Sequence, residues 1–125
     1  MKLSHVRVAF VSYLLLHLLL ALVVFNLDDK IDVSNFDVEI RFDYFFHIIA
    51  FLPWAFWGYF LRYKPIMWLS IGTVFAFCME GLHYFIPYRT YNVIDFFSNF
   101  LGIFLGFLIL HFFLFIKKRC QEKRP

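Results

Sequence analysis

A chain of 125 residues would ordinarily make one small soluble domain, but 62% of these residues are hydrophobic, 24% aromatic and only 17% charged. Water-soluble domains average about 45–50% apolar and about 25% charged, and a body this small has too much surface for so few charges to cover; disorder is excluded by the same apolar content. The formal charge of +3 does not mark a nucleic-acid binder, because the basic residues sit at the edges of apolar runs rather than on one amphipathic face.

The first run, Val8 to Leu27, holds 20 residues without a formal charge, about the 20 needed to cross a hydrocarbon core of roughly 30 Å. Lys2 and Arg7 precede it as they would a signal peptide, but the run is too long for an h-region and no small-x-small site precedes Asn26, so it is expected to stay uncleaved. The longest loop follows, with Asp28, Asp29, Asp32, Asp37, Glu39 and Asp43 against Lys30 and Arg41. It reads as a solvated acidic loop. Tyr44 to Leu61 is a second run, with Pro53 inside it. Pro65 to Ile86 is a third, interrupted only by Glu80, and Phe96 to Ile116 is a fourth. In lipid each must satisfy its own backbone, so helices are expected; the runs are apolar on both parities, which excludes barrel strands. The expectation is an all-α, four-helix transmembrane bundle in which residues 1–125 form a single domain.

The N-terminal flank, the second loop (Arg62, Lys64) and the C-terminal tail (Lys117, Lys118, Arg119, Lys123, Arg124) hold nine of the 12 Lys and Arg residues. The positive-inside rule then puts both termini in the cytoplasm. Trp57, Tyr59, Tyr63 and Trp68 flank the second loop as an interfacial aromatic belt. The basic tail reads as a topology anchor that attracts anionic membrane lipid. Cys78 and Cys120, one in an apolar run and one in the tail, suggest neither a disulfide nor a metal site.

Ionisable groups inside a span are costly and mark candidate sites. Glu80 lies six residues before Ile86, hence roughly 9 Å below the outer end of its helix. His47 is four residues below Asp43 and Asn99 four below Asp95, each roughly 6 Å deep. Three helices thus carry polar side chains at similar depth in the outer leaflet. Their faces agree as well. Glu80 and His83 share a face, continued by Gly72, Thr73 and Ala76; Asp95, Asn99, Gly102 and Gly106 fall on one narrow face; Asp43 and His47 are one turn apart. Gly102 and Gly106 form a GxxxG packing pair. Packed together, these faces would place Glu80, His47, Asp95 and Asn99 in one outward-facing pocket, with Arg89 in the short third loop able to close over it. The plainer alternative is interhelical glue, but such bonds are worth only about 0.6 kcal/mol on average in membranes. A charged carboxylate at mid-membrane costs roughly 2.5–3.5 kcal/mol. His17, one turn after Tyr13, reads as an interhelical hydrogen bond; His5 and His111 carry no signal.

Glu80-Gly81-Leu82-His83, then Pro87, Arg89, Asp95, Asn99, Gly102 and Gly106 resemble the VanZ-like family of small bacterial membrane proteins. That family's pattern reads E-x-x-Q, an arginine, then D-x-x-x-N-x-x-G-x-x-x-G. Asp43-Tyr44-Phe45-Phe46-His47 resembles its earlier D-K-x-x-H motif. Two positions depart from the pattern: His83 stands for the glutamine, whose donor and acceptor roles a neutral imidazole can imitate, and Tyr44 stands for the lysine. The resemblance implies a multi-pass protein of the bacterial cytoplasmic membrane with a cell-envelope role, the family's namesake being associated with resistance to the glycopeptide antibiotic teicoplanin.

The first functional expectation is therefore a pocket that binds or acts on an amphiphilic envelope component such as a lipid-linked glycan precursor or a lipid-anchored glycopeptide, with catalysis left open. Glu80, stripped of water, would serve as general acid or base with His47 as partner. Asp43, His83, Arg89, Asp95 and Asn99 would bind the headgroup, and Gly102 and Gly106 would pack the helices. No cofactor, metal cluster, phosphate-binding glycine loop or serine triad is legible, and Ser98 points away from the Asp95 stripe. The alternative is a non-enzymatic scaffold that joins another membrane protein or a second copy of itself. Proton-coupled transport has least support, since below Glu80 the stripe offers only Thr73 and Gly72.

Overall fold

The computed structural model describes residues 3–22, 30–33, 38–85 and 93–122. Helix α1 spans Leu3–Leu22; a short antiparallel hairpin follows, β1 (Lys30–Val33) and β2 (Val38–Arg41); then come α2 (Phe42–Phe51), α3 (Trp54–Leu61), α4 (Pro65–His83) and α5 (Val93–Glu122). With α2 and α3 taken as one span, there are four segments long and apolar enough to cross a membrane: Leu3–Leu20, Asp43–Leu61, Pro65–His83 and Val93–Glu122. The four-span helical architecture is as expected, and the hairpin is an addition to it. Its register pairs Lys30 with Arg41 and Val33 with Val38, so part of the acidic loop has regular structure.

Helix ends differ from the limits of the uncharged runs because a charge does not stop a helix. Arg7 lies inside α1, and α5 continues through Lys117, Lys118 and Arg119 to Glu122; Arg and Lys are good helix formers. At about 1.5 Å per residue this helix overshoots the hydrocarbon core and carries its basic end beyond it. Pro53 has the opposite effect. Lacking an N–H, it cannot donate to the carbonyl one turn back, and α2 ends at Phe51 with α3 starting at Trp54. The carbonyl deprived of that donor is that of Ile49; one residue on, at the same break, the Ala50 carbonyl accepts from the Tyr13 hydroxyl of α1 at 2.8 Å.

Helix α5 is the hub, packed on α2, α3 and α4, while α1 lies on α3 and α4. The closest approach is between α2 and α5. A Cβ on Gly102 would collide with the Ile48 carbonyl oxygen, and one on Gly106 with that of Leu52; only glycine lets the two backbones meet. The buried centre contains Phe51, Trp54, Trp68, Ala76, Met79 and Ile103. Large apolar side chains such as Val8, Leu15, Ile66, Phe77 and Phe112 face outward, as a chain solvated by lipid requires.

One half of the centre is a reciprocal clasp. Trp54 on α3 and Trp68 on α4 stack at 4.9 Å between ring centroids. The Trp54 indole N–H donates to the Trp68 carbonyl at 3.0 Å, and the Trp68 indole N–H donates to the Trp54 carbonyl at 2.7 Å. Each ring needs a glycine opposite, one turn after the other tryptophan: a Cβ on Gly58 would strike Trp68, and one on Gly72 would strike Trp54. Phe10 packs edge-on against Trp54, and Tyr63 stacks on Trp68 at 4.8 Å.

Candidate functional site

At the other end of the bundle, the start of α2, the end of α4 and the start of α5 converge. Their polar residues are among the most buried in the chain: Glu80 and Asn99 are each 1% exposed, and His83, Asp95 and Ser98 are also buried. Two carboxylate–imidazole pairs result. On α4, His83 Nδ1 lies 3.2 Å from Glu80 Oε2, an i, i+3 pair on one helical face. Across α2 and α5, His47 Nδ1 lies 2.9 Å from Asn99 Oδ1, and His47 Nε2 lies 3.9 Å from Asp95 Oδ2. Glu80, Asp43 and His83 are all within electrostatic reach of His47, so the two pairs belong to one cluster.

The helix geometry explains why these side chains meet. Asp95, Asn99, Gly102 and Gly106 occupy one face of α5, and the two glycines draw α2 onto that face. His47 sits one residue before Ile48, whose carbonyl touches Gly102. Close packing of the backbones therefore brings the imidazole to Asn99. With the amide oxygen oriented toward the ring, the Nδ1–H of His47 donates to it, which leaves Nε2 directed toward Asp95. The His47 side chain keeps 19% exposure, so a ligand can touch it. A neutral imidazole in this tautomer offers an acceptor at Nε2, with carboxylates nearby to stabilise the cation formed when it takes a proton.

His83 differs. Both ring nitrogens are buried, and Nε2 has no hydrogen-bond partner among the described residues. A buried polar atom left so is expensive, typically about 1–3 kcal/mol. Asp43 is half-buried at the start of α2. Arg89, expected to close over the pocket, lies outside the described residues. Ser98 is buried and donates to the Ile94 carbonyl of its own helix at 2.9 Å. That bond turns the hydroxyl back to the backbone instead of toward the cluster. Among the described residues, no group of three or more His, Cys, Asp and Glu side chains is placed to hold a metal ion.

Other expectations fall elsewhere. The stripe below Glu80 is core: Ala76 is fully buried, and Gly72 gives room to the Trp54 indole. Thr73 donates to the Leu69 carbonyl. His17 is buried against Tyr13 and Phe51, with Nδ1 3.1 Å from the Tyr13 carbonyl of its own helix and the Ala50 carbonyl of α2 also within hydrogen-bonding reach. Trp68, expected at the interface, is instead buried in the clasp. The repeated W-x-x-x-G, at Trp54–Gly58 and Trp68–Gly72, was the signal for that arrangement.

The family model described as VanZ/LLP1 matches residues 3–115, nearly the whole chain. No curated protein and no solved structure matches it.

Proposed function

The chain belongs to the VanZ/LLP1 family, and from that premise we propose that the cluster around Glu80 is a pocket for the polar headgroup of an amphiphilic cell-envelope component at the bacterial cytoplasmic membrane. The observation that carries this reading is the burial of Glu80, His83, Asp95 and Asn99 from two helices around a third, with Asp43 and His47 of that third helix partly open. A carboxylate costs roughly 2.5–3.5 kcal/mol inside a membrane, more than packing alone returns. In this reading His47 and Glu80 exchange a proton with the bound headgroup; Asp43, His83, Asp95 and Asn99 hold its hydroxyl and amino groups; and Arg89 pairs with an anionic substituent. A lipid-linked glycan precursor or a lipid-anchored glycopeptide has such a headgroup on an apolar tail, and a teicoplanin-resistance role follows if the pocket intercepts one of them.

The test is teicoplanin susceptibility of a Gram-positive host that expresses wild type or Glu80→Gln at matched membrane levels. Protection by the wild type and loss in the variant is the expected result. Protection that survives Glu80→Gln overturns the acid–base role, and a variant that no longer accumulates in the membrane assigns Glu80 to packing. A scaffold role would need a surface other than the Gly102–Gly106 face, because α2 already occupies it within the chain.

A further inference from the structure

A groove of about 300 Å³ lies at the opposite end of the bundle from Glu80, between the α3–α4 turn and the second half of α5. Its floor is apolar, with Trp68, Leu110 and Leu114, and its rim carries Arg62, Tyr63 and His111. Arg62 is exposed and holds the left-handed cap of α3 at φ 63°. Its guanidinium has no carboxylate partner among the described residues. On the same stretch of α5, Phe112, Phe113, Phe115 and Ile116 point outward, so the groove opens on a surface that lipid covers.

Charge decides what fits. The described residues of this end include Arg7, Arg62, Lys64, Lys117, Lys118 and Arg119, against one carboxylate, Glu122, which lies 4.0 Å from Lys118. The carboxylates Asp43, Glu80 and Asp95 all lie in the cluster at the far end. An apolar trough with a lone guanidinium and a tyrosine at its rim matches an anionic phospholipid: one acyl chain along Leu110 and Leu114, the phosphate on Arg62. Basic pockets between transmembrane helices take anionic headgroups in this way.

We propose that this groove, framed by Arg62, Trp68 and α5, is a binding site for a single anionic phospholipid, distinct from the Glu80 cluster and independent of what that cluster binds. Tryptophan fluorescence is the reporter, with Trp68 lining the groove and Trp54 and Trp57 also contributing to the signal. The full chain, reconstituted in phosphatidylcholine vesicles, is titrated with bromine-labelled phosphatidylglycerol or bromine-labelled phosphatidylcholine, and tryptophan quenching is read. Wild type should favour phosphatidylglycerol by about fivefold, the scale of one basic residue at an anionic surface. Arg62→Gln should reduce the preference to within about twofold, the remainder reflecting the basic tail. Arg62→Lys should keep most of it, and near-UV circular dichroism of the tryptophan pair should match wild type in both variants. The paired change Lys118→Gln, Arg119→Gln should leave the Arg62-dependent part in place. Equal quenching by the two lipids in wild type overturns the proposal. So does a preference that Arg62→Gln leaves intact, one that the tail variant alone abolishes, or one that millimolar inorganic phosphate displaces.

Discussion

The two ends of this bundle bury polar groups in different ways. At the aromatic end, the indole N–H groups of Trp54 and Trp68 each have a carbonyl acceptor on the facing helix, and the Tyr13 hydroxyl has one too; Trp57 Nε1 is the exception, buried with no hydrogen-bond partner among the described residues. At the polar end, Glu80, His83, Asp95 and Asn99 bring ionisable and amide groups into comparable burial, and His83 Nε2 has no partner among the described residues. Donors matched one to one with acceptors are what a membrane core needs to hold together. Carboxylates and imidazoles are an expensive way to achieve the same end. The contrast marks the first region as architecture and the second as the place to look for a ligand.

Changes to the glycines of the clasp should have the largest effect. Gly58→Val or Gly72→Val drives a side chain into the opposite indole, and overpacking of this kind costs about 1–3 kcal/mol. Either variant should lower the thermal aggregation temperature in detergent sharply, and a wild-type value would show that the rings have room to move. Trp68→Phe removes one donor and leaves the Trp54 carbonyl unmatched, for about 1–2 kcal/mol. Its melting temperature should fall while any Glu80-dependent phenotype persists; loss of that phenotype at wild-type stability would couple the two ends and break the comparison. Tyr13→Phe deletes only the bond to the Ala50 carbonyl at the proline break, for about 1 kcal/mol, and should weaken the α1 attachment as read by limited proteolysis. His83→Gln is expected to be mildest, under about 1 kcal/mol, the net worth of one hydrogen bond. An amide can serve the same donor and acceptor roles as the imidazole. A large destabilisation there would mean that the His83–Glu80 contact is structural, and would erase the difference between the ends.

The four spans were legible because the length of an uncharged run is a local property that the bilayer reads directly. So were the polar faces of α4 and α5. Glu80 and His83 are three residues apart, Asp95 and Asn99 four, and helical periodicity puts each pair on one face before any packing is known. The partner assignment within the cluster was not legible. His47 meets Asn99 because two glycines bring α2 onto α5, and the approaches of Gly102 to Ile48 and Gly106 to Leu52 set the register between those helices. Pro53 was visible, yet the bond at its break, from Tyr13 of α1 to the Ala50 carbonyl, depends on a third helix lying alongside.

The aromatic residues show the same division. Trp68 stands near a loop and reads as an interfacial anchor, but the reciprocal glycines draw it into the centre of the bundle. Sequence by itself determined the solvent of this chain, its helical content, the number of crossings and which residues carry charge into them, because each follows from composition and from periodicity along one helix. Tertiary structure alone decided which polar groups pair, that Trp68 turns inward against Trp54 and where a groove opens beside Arg62. Those outcomes depend on how closely two backbones approach, and that distance is set by the residues on both.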